Sequence, residues 1–530
     1  MAKIPPPDPA FIGLALNRLG HGARPVDFVT FAQLGFDGWL DQQLSPPAGD
    51  DPETARRMAT TTLKIHYTPK TMGSVIDEMR PLAAIDAPIE TMWPSLFDHD
   101  KPVDGNERNR LRDEVIAATL LRAVYSPYQL REMMVQFWHD HFNVDAYGSE
   151  QVSVALPTYD RDVIRRHCLG NFREFLEAVA SSTAMLYYLS NRSSRAGAAN
   201  ENYGRELLEL HTLGRAAYLN DQYDRWRNVP GALQGRPIGY IDQDVYEAAR
   251  AFTGWTVEDG TRLDGQRQLP NSGKFAYVDA WHDGYQKRVL GQEFDPFAAA
   301  MADGRKVLDL VAEHPATAAH IVTKFCQRIV GPKTSPALVA KATSVWRKNA
   351  KAHNQIAQVV RFIALSPEFA SSRGDKVKRP LTLAAGFARI TGMDFVPTQG
   401  LMYALTNAGQ RLFGWPSPTG LPDDNITFLG TNVMRNRWQL LLGLAQNSWG
   451  NGICEPSRVM TPALTVADGA AFWLEMFSVP ADHMLIEAMA AAVGGISQQP
   501  MSGYVGRPDG EKRLATLVAT AAMAPAFQTS

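Results

Sequence analysis

The chain has 530 residues, 45% of them apolar and 20% charged, with a net charge of −2. Such a chain buries a large core, as two or three domains or one large helical array, and is excluded from wholesale disorder. The near-neutral charge gives no electrostatic reason to expect nucleic acid or an anionic membrane as the principal partner. No stretch reaches the roughly 18 uninterrupted apolar residues of a membrane span.

In chain order, residues 1–25 lack the apolar core and small-residue cleavage site of a secretory leader. As it stands the sequence predicts a cytoplasmic protein; a periplasmic or secreted chain stripped of its leader reads the same way. Helical spacing then dominates, with a recurring start device. Ser126-Pro127, Ser335-Pro336 and Ser366-Pro367 each set a capping hydroxyl before a proline, and His314-Pro315 opens a helix similarly. The apolar period predicts helices over 127–141, 242–252, 300–312, 336–348, 354–365, 380–391, 432–447, 467–477, 481–494 and 511–523. Strand patterns are few, and Lys274–Val278 with Arg288–Leu290 suggest a small hairpin. The expectation is a mainly α, large multi-helical globular protein with long irregular loops and at most a small β-hairpin. Its main helical domain spans 1–372, and a C-terminal helical region, 373–530, packs on it after the break at SSRGDK. Cys168, Cys326 and Cys454 are too scattered for a disulfide framework or a zinc motif, and Cys326 sits on the apolar register of its helix.

Five segments concentrate chemistry. WHDHFN, 138–143, closes a predicted helix. His139 and His141 diverge by about 200° on a helix and converge on a metal only where the helix ends or unwinds, with Asp140 and Asn143 as supporting oxygens. The alternative is a helix C-terminus favoured by histidine. In NENYGRELLELHTLG, 200–214, an ideal wheel puts Asn202, Arg205, Glu206 and Glu209 within an arc of roughly 100°. Glu206 and Glu209 suit a shared metal or an acid–base pair; an ordinary Arg205 ion pair to Glu209 or Glu201 is the competing reading. His211 points away as a capping or packing residue, and Gly214 is the expected stop. DVYEAARAFTGW, 244–255, reads as an ion-paired helix ending at Gly254. In WHDGYQK, 281–287, His282 and Asp283 form a loop pair able to exchange protons, or a solvated turn. GQRLFGWPSPTGLPDD, 409–424, is a rigid loop or a pocket wall, and the loops 220–242 and 256–285 are natural site borders. Nucleotide-loop, HExxH and GxSxG signatures are absent.

These motifs, in this order, resemble a bacterial family known only as the domain of unknown function 1800. LNRLGHGARP, FWHDHFNV, NENYGRELLELHTLG, DVYEAARAFTGW, HDGYQKRVLG, HPATAAHIVTKFCQRIV, KVKRPLTLAAGFARITG and GQRLFGWPSPTG carry the likeness over most of the chain. The resemblance implies no activity; members often carry export signals, which this sequence lacks.

Two functions fit these residues. One is a hydrolase acting on a small-molecule or polymer ligand. Its site holds His139, His141, Asn202, Glu206 and Glu209 around a divalent metal, or uses Glu206 and Glu209 with His282 and Asp283 as metal-free acids and bases. The other is a non-catalytic helical binding or assembly protein whose acidic helix is a buried structural network.

Overall fold

The computed structural model describes residues 9–69, 74–98, 100, 103–264 and 266–530. The first eight residues, part of the leader reading, and Gly265 of the 256–285 loop lie outside them. Helix starts follow the capping chemistry. Ser335 Oγ accepts from the Leu338 amide and Ser366 Oγ from the Phe369 amide, each at 3.1 Å, and His314 Nδ1 accepts from the Ala316 amide at 3.1 Å. Ser126 differs. Its hydroxyl accepts from the Tyr128 amide, Tyr128 adopts a non-helical conformation, and the helix opens only at Gln129.

The protein is mainly α, and helices such as Gln129–His141, Asp242–Ala251, Pro315–Ile329 and Pro380–Thr391 lie where the apolar period places them. Strands are more numerous than expected. Lys274–Val278 and Arg288–Leu290 do not pair with each other; three separate antiparallel pairs form instead. Thr62–Tyr67 joins Ile76–Pro81, Trp255–Asp259 joins Asn271–Tyr277, and Lys287–Val289 joins Gln292–Phe294. The reason is local: each strand takes its partner from across a nearby turn, where closing the loop costs least entropy. No helix among the described residues is long and apolar enough to cross a membrane.

One cluster of buried apolar side chains runs from Ile12 to Phe527 and draws on both sides of residue 372. Near its middle, Trp138 is fully buried, donates its indole N–H to the Cys168 carbonyl at 2.9 Å, and meets the rings of Phe142, Phe175 and Phe325. Truncating such a side chain to alanine costs about 4 kcal/mol, so the WHDHFN helix is held rigidly. Two wide π-helical turns interrupt the α pattern, Tyr159–Arg165 and Leu207–His211. Both abut this helix, and each receives one of its histidines.

Candidate functional site

The Gln129–His141 helix stays helical through His141, so His139 and His141 project to different sides. His139 Nε2 lies 2.9 Å from Asp160 Oδ1 on the first π turn. Burial raises the Asp160 carboxyl, but Arg165, His139 and Arg122 outweigh it and hold the group well below the usual carboxylate range. Arg165 continues the network to Glu132 at 2.9 Å.

His141 meets the second π turn. Its Nε2 is 3.1 Å from the carbonyl oxygen of His211, and its Nδ1 is 2.8 Å from Lys324 Nζ. A carbonyl only accepts, so Nε2 carries the hydrogen and Nδ1 offers its lone pair to the lysine. Burial, then Lys324, His320 and His211, keep the His141 ring neutral by pushing its pKa far below the histidine norm. His320 Nε2 sits 3.2 Å from the Leu210 carbonyl of the same turn. The His211 ring is buried, neither nitrogen has a hydrogen-bond partner among the described residues, and burial lowers it to about 3. It is a packed ring, and what it contributes to its neighbours is its carbonyl.

The acidic segment begins as an α-helix, Glu201–Glu206, and widens into the π turn. The extra residue in that turn alters the register assumed by an ideal wheel. Arg205 reaches Asp242 at 3.2 Å and Glu201 at 3.8 Å, not Glu209. Glu206 and Glu209 are half-buried, and among the described residues neither has a hydrogen-bond or ion-pair partner. Burial, then the negative charge of Glu209, raises the Glu206 carboxyl above its ordinary value. Asn202 is exposed and donates to the Leu189 carbonyl at 3.3 Å.

The GWPSPTG loop closes over the C-terminal end of the WHDHFN helix. Asn143 Nδ2 donates to the Trp415 and Ser417 carbonyls, both at 2.9 Å, and Tyr188 Oη donates to the Pro416 carbonyl at 2.9 Å. Gly420, with φ of +71°, lies so near Asp140 that a Cβ would collide with its carbonyl.

His282 and Asp283 belong to another network. His282 Nδ1 lies 2.9 Å from the Thr253 carbonyl and Nε2 lies 3.3 Å from Asp303, which Lys287 also reaches at 2.6 Å. Asp283 pairs with Arg250 at 2.7 Å. Nearby, the 220–228 loop, Asp244 and Glu247 border a groove of about 790 Å³. Asp244 is raised to about 6, by burial first, while its oxygens accept the amides of Ile241 and Leu290.

The proposed metal donors therefore do not share one focus. Among the described residues no group of three or more His, Cys, Asp or Glu is placed to hold a metal ion. Both nitrogens of His141 are already engaged. Sequence reading passed over Lys324, because it resembles any solvated lysine on an amphipathic helix; its isolation becomes visible only once the WHDHFN and HPATAAHIVTK segments meet.

No curated protein and no solved structure matches the chain. A family profile described as "Protein of unknown function (DUF1800)" matches residues 14–529, nearly the whole chain. By that match the chain belongs to the DUF1800 family.

Proposed function

We propose that the protein is a hydrolytic enzyme of metal-independent acid–base type, in which Glu206 is the proton donor and Glu209 the base. The observation that carries this reading is the pair of half-buried carboxylates without a cationic partner, Arg205 being drawn off to Asp242. A structural network would place an arginine on them, because unpaired carboxylates near a dry interior cost stability. A carboxyl whose proton affinity is raised by burial and by a neighbouring carboxylate is a recurring arrangement for supplying a proton. Glu206 protonates the leaving atom, and Glu209 takes the proton of the attacking water. The ligand approaches beside Tyr188 and the 415–420 loop.

The test is hydrolysis of a panel of chromogenic esters, glycosides and peptides by the intact protein, Glu206→Gln and Glu209→Gln, with and without chelator. One substrate class is cleaved, chelator has no effect, and each variant loses roughly 10²- to 10⁴-fold of the rate while its melting temperature holds or rises. Variants that unfold while substrate hydrolysis is absent from the parent would overturn the reading and favour the structural network.

A further inference from the structure

Lys324 differs from the cations that gather on Asp140 and Asp423. Lys376 meets Asp423 at 2.7 Å, Arg328 meets Asp423 at 3.3 Å, and Arg379 bonds Asp140. Lys324 has no carboxylate within ion-pair distance among the described residues; its hydrogen-bond partner is the lone pair of His141 Nδ1. That lone pair is fixed in place, because the opposite ring nitrogen gives its hydrogen to the His211 carbonyl. One N–H of the lysine is therefore occupied in a set direction, and the rest of the nitrogen stays available.

Lys324 and His141 line a cavity of about 350 Å³, together with Asp140, Arg379, Thr419 and Asp423. The volume is at the small end for ligand pockets. Its chemistry discriminates between occupants. Asp140 and Asp423 on the wall are paired with Arg379, while Asp424 is in no ion pair among the described residues, so an anion seated on the lysine faces an uncompensated carboxylate. A neutral carbonyl group is not repelled by it.

We propose that Lys324 is a nucleophilic amine that captures a small, uncharged aldehyde or ketone in this cavity as an imine. The ammonium first releases its proton to water. The amine nitrogen then forms a bond to the carbonyl carbon as the carbonyl π electrons move to oxygen, and the oxygen and nitrogen exchange a proton. Loss of one water from the carbinolamine leaves the C=N bond, so amine plus carbonyl gives imine plus water. His141 positions the amine through its Nδ1 and touches no reacting carbon. Burial, with Arg379 adding to it against Asp140 and Asp423, lowers the Lys324 amine to about 8. Its free-amine fraction at pH 7 is on the order of a hundred times that of an exposed lysine. This site is separate from Glu206 and Glu209 and does not depend on their role.

The experiment treats the full-length protein with butanal and cyanoborohydride at pH 7 and follows adducts by intact mass and peptide mapping. Lys333, 80% exposed in its side chain, is the internal reference. Lys324 should label at least about tenfold faster than Lys333, to one adduct per chain. His141→Asn, which keeps an acceptor near Nδ1, should retain most of that advantage. His141→Leu should lose it without changing Lys333. Labelling at Lys324 no faster than at Lys333 in the parent protein overturns the proposal, whatever the variants do. So does protection of Lys324 by inorganic phosphate with no butanal adduct, which would mark an anion site instead.

Discussion

Asp423 shows at the level of one residue how this molecule tolerates so many interior charges. Its Oδ1 lies 2.7 Å from Lys376, 3.3 Å from Arg328 and 3.4 Å from Arg379. Burial opposes the charge, but Lys376, Arg328 and Arg379 outweigh it and keep the carboxyl ionised far below the usual range. Removing one partner from a buried ion cluster leaves the others uncompensated, which costs more than the cluster's net worth. Asp423→Asn should therefore lower stability by about 3 kcal/mol, read as the shift in urea midpoint at constant slope. A change within about 0.5 kcal/mol, the ordinary range of surface substitutions, would mean that solvent already screens these cations. Glu206 is the opposite case. Among the described residues it forms no ion pair to lose, so Glu206→Gln should be neutral or stabilising at pH 8, where the parent carboxyl is charged, and its advantage should shrink towards pH 4. The sign follows from the raised carboxyl: the folded state favours the protonated form, so ionisation at higher pH works against folding.

At the scale of elements, the two π turns do the positioning. Each widens a helix where it faces the WHDHFN helix, so Asp160 reaches His139 and the His211 carbonyl reaches His141. The second turn ends at Gly214, where φ is +87° and the Gly214 amide donates to the Leu208 carbonyl at 3.1 Å. A Cβ there would approach His320 Nδ1 to 2.7 Å. Gly214→Ala combines a left-handed backbone with a clash, and should cost about 2 to 3 kcal/mol in chemical denaturation. It should also displace His320 from Leu210, visible as a shift of the His320 ring resonances. An alanine variant as stable as the parent would show that the turn relaxes freely.

These elements also mark how far the sequence could be read. Helix positions were legible because a 3.6-residue apolar period needs no tertiary information. Gly214 was legible as a stop for the same reason. The π turns were not: Leu207–His211 carries ordinary helix-forming residues, and its extra residue is stabilised by contacts 70 and 110 positions away, at His141 and His320. The strands were misread because Lys274 and Arg288 mark strand-forming stretches without naming partners. His139 and His141 were readable as chemically important and as divergent on a helix. What they turned towards, Asp160 and Lys324, depended on long-range packing.

For the whole molecule, the outcome of so much buried basicity is a dependence on pH. His21 and His211 are buried and His320 is half-buried, and desolvation lowers them to about 4, 3 and 4. In the unfolded chain each titrates near 6.5. Between about pH 6.5 and 4 the unfolded state therefore binds more protons than the folded one, so stability rises with pH across that window and is lost as pH falls. Each ring withdraws about 2 kcal/mol on going from pH 7 to 5. Asp244 opposes them. Its folded value of about 6 means the folded state binds the extra proton, returning about 1 kcal/mol over the same interval. Lys324, Lys376 and Lys378, lowered by burial to about 8, 8 and 7, are protonated in both states below about pH 6; above it Lys378 adds a fraction of a kcal/mol to the same slope. His141, pushed far below the histidine norm by burial, acts in the same direction, so the net expectation is a loss of at least about 4 kcal/mol between pH 7 and 5, measured by urea denaturation at fixed ionic strength. The same lysines reverse the usual decline above neutrality: from pH 8 to 10 the unfolded state holds protons that the folded state has released, so stability should continue to rise until other groups ionise. A profile flat from pH 7 to 5 would mean that these histidines open to water in the native state, and with them the packing that holds His141 against Lys324.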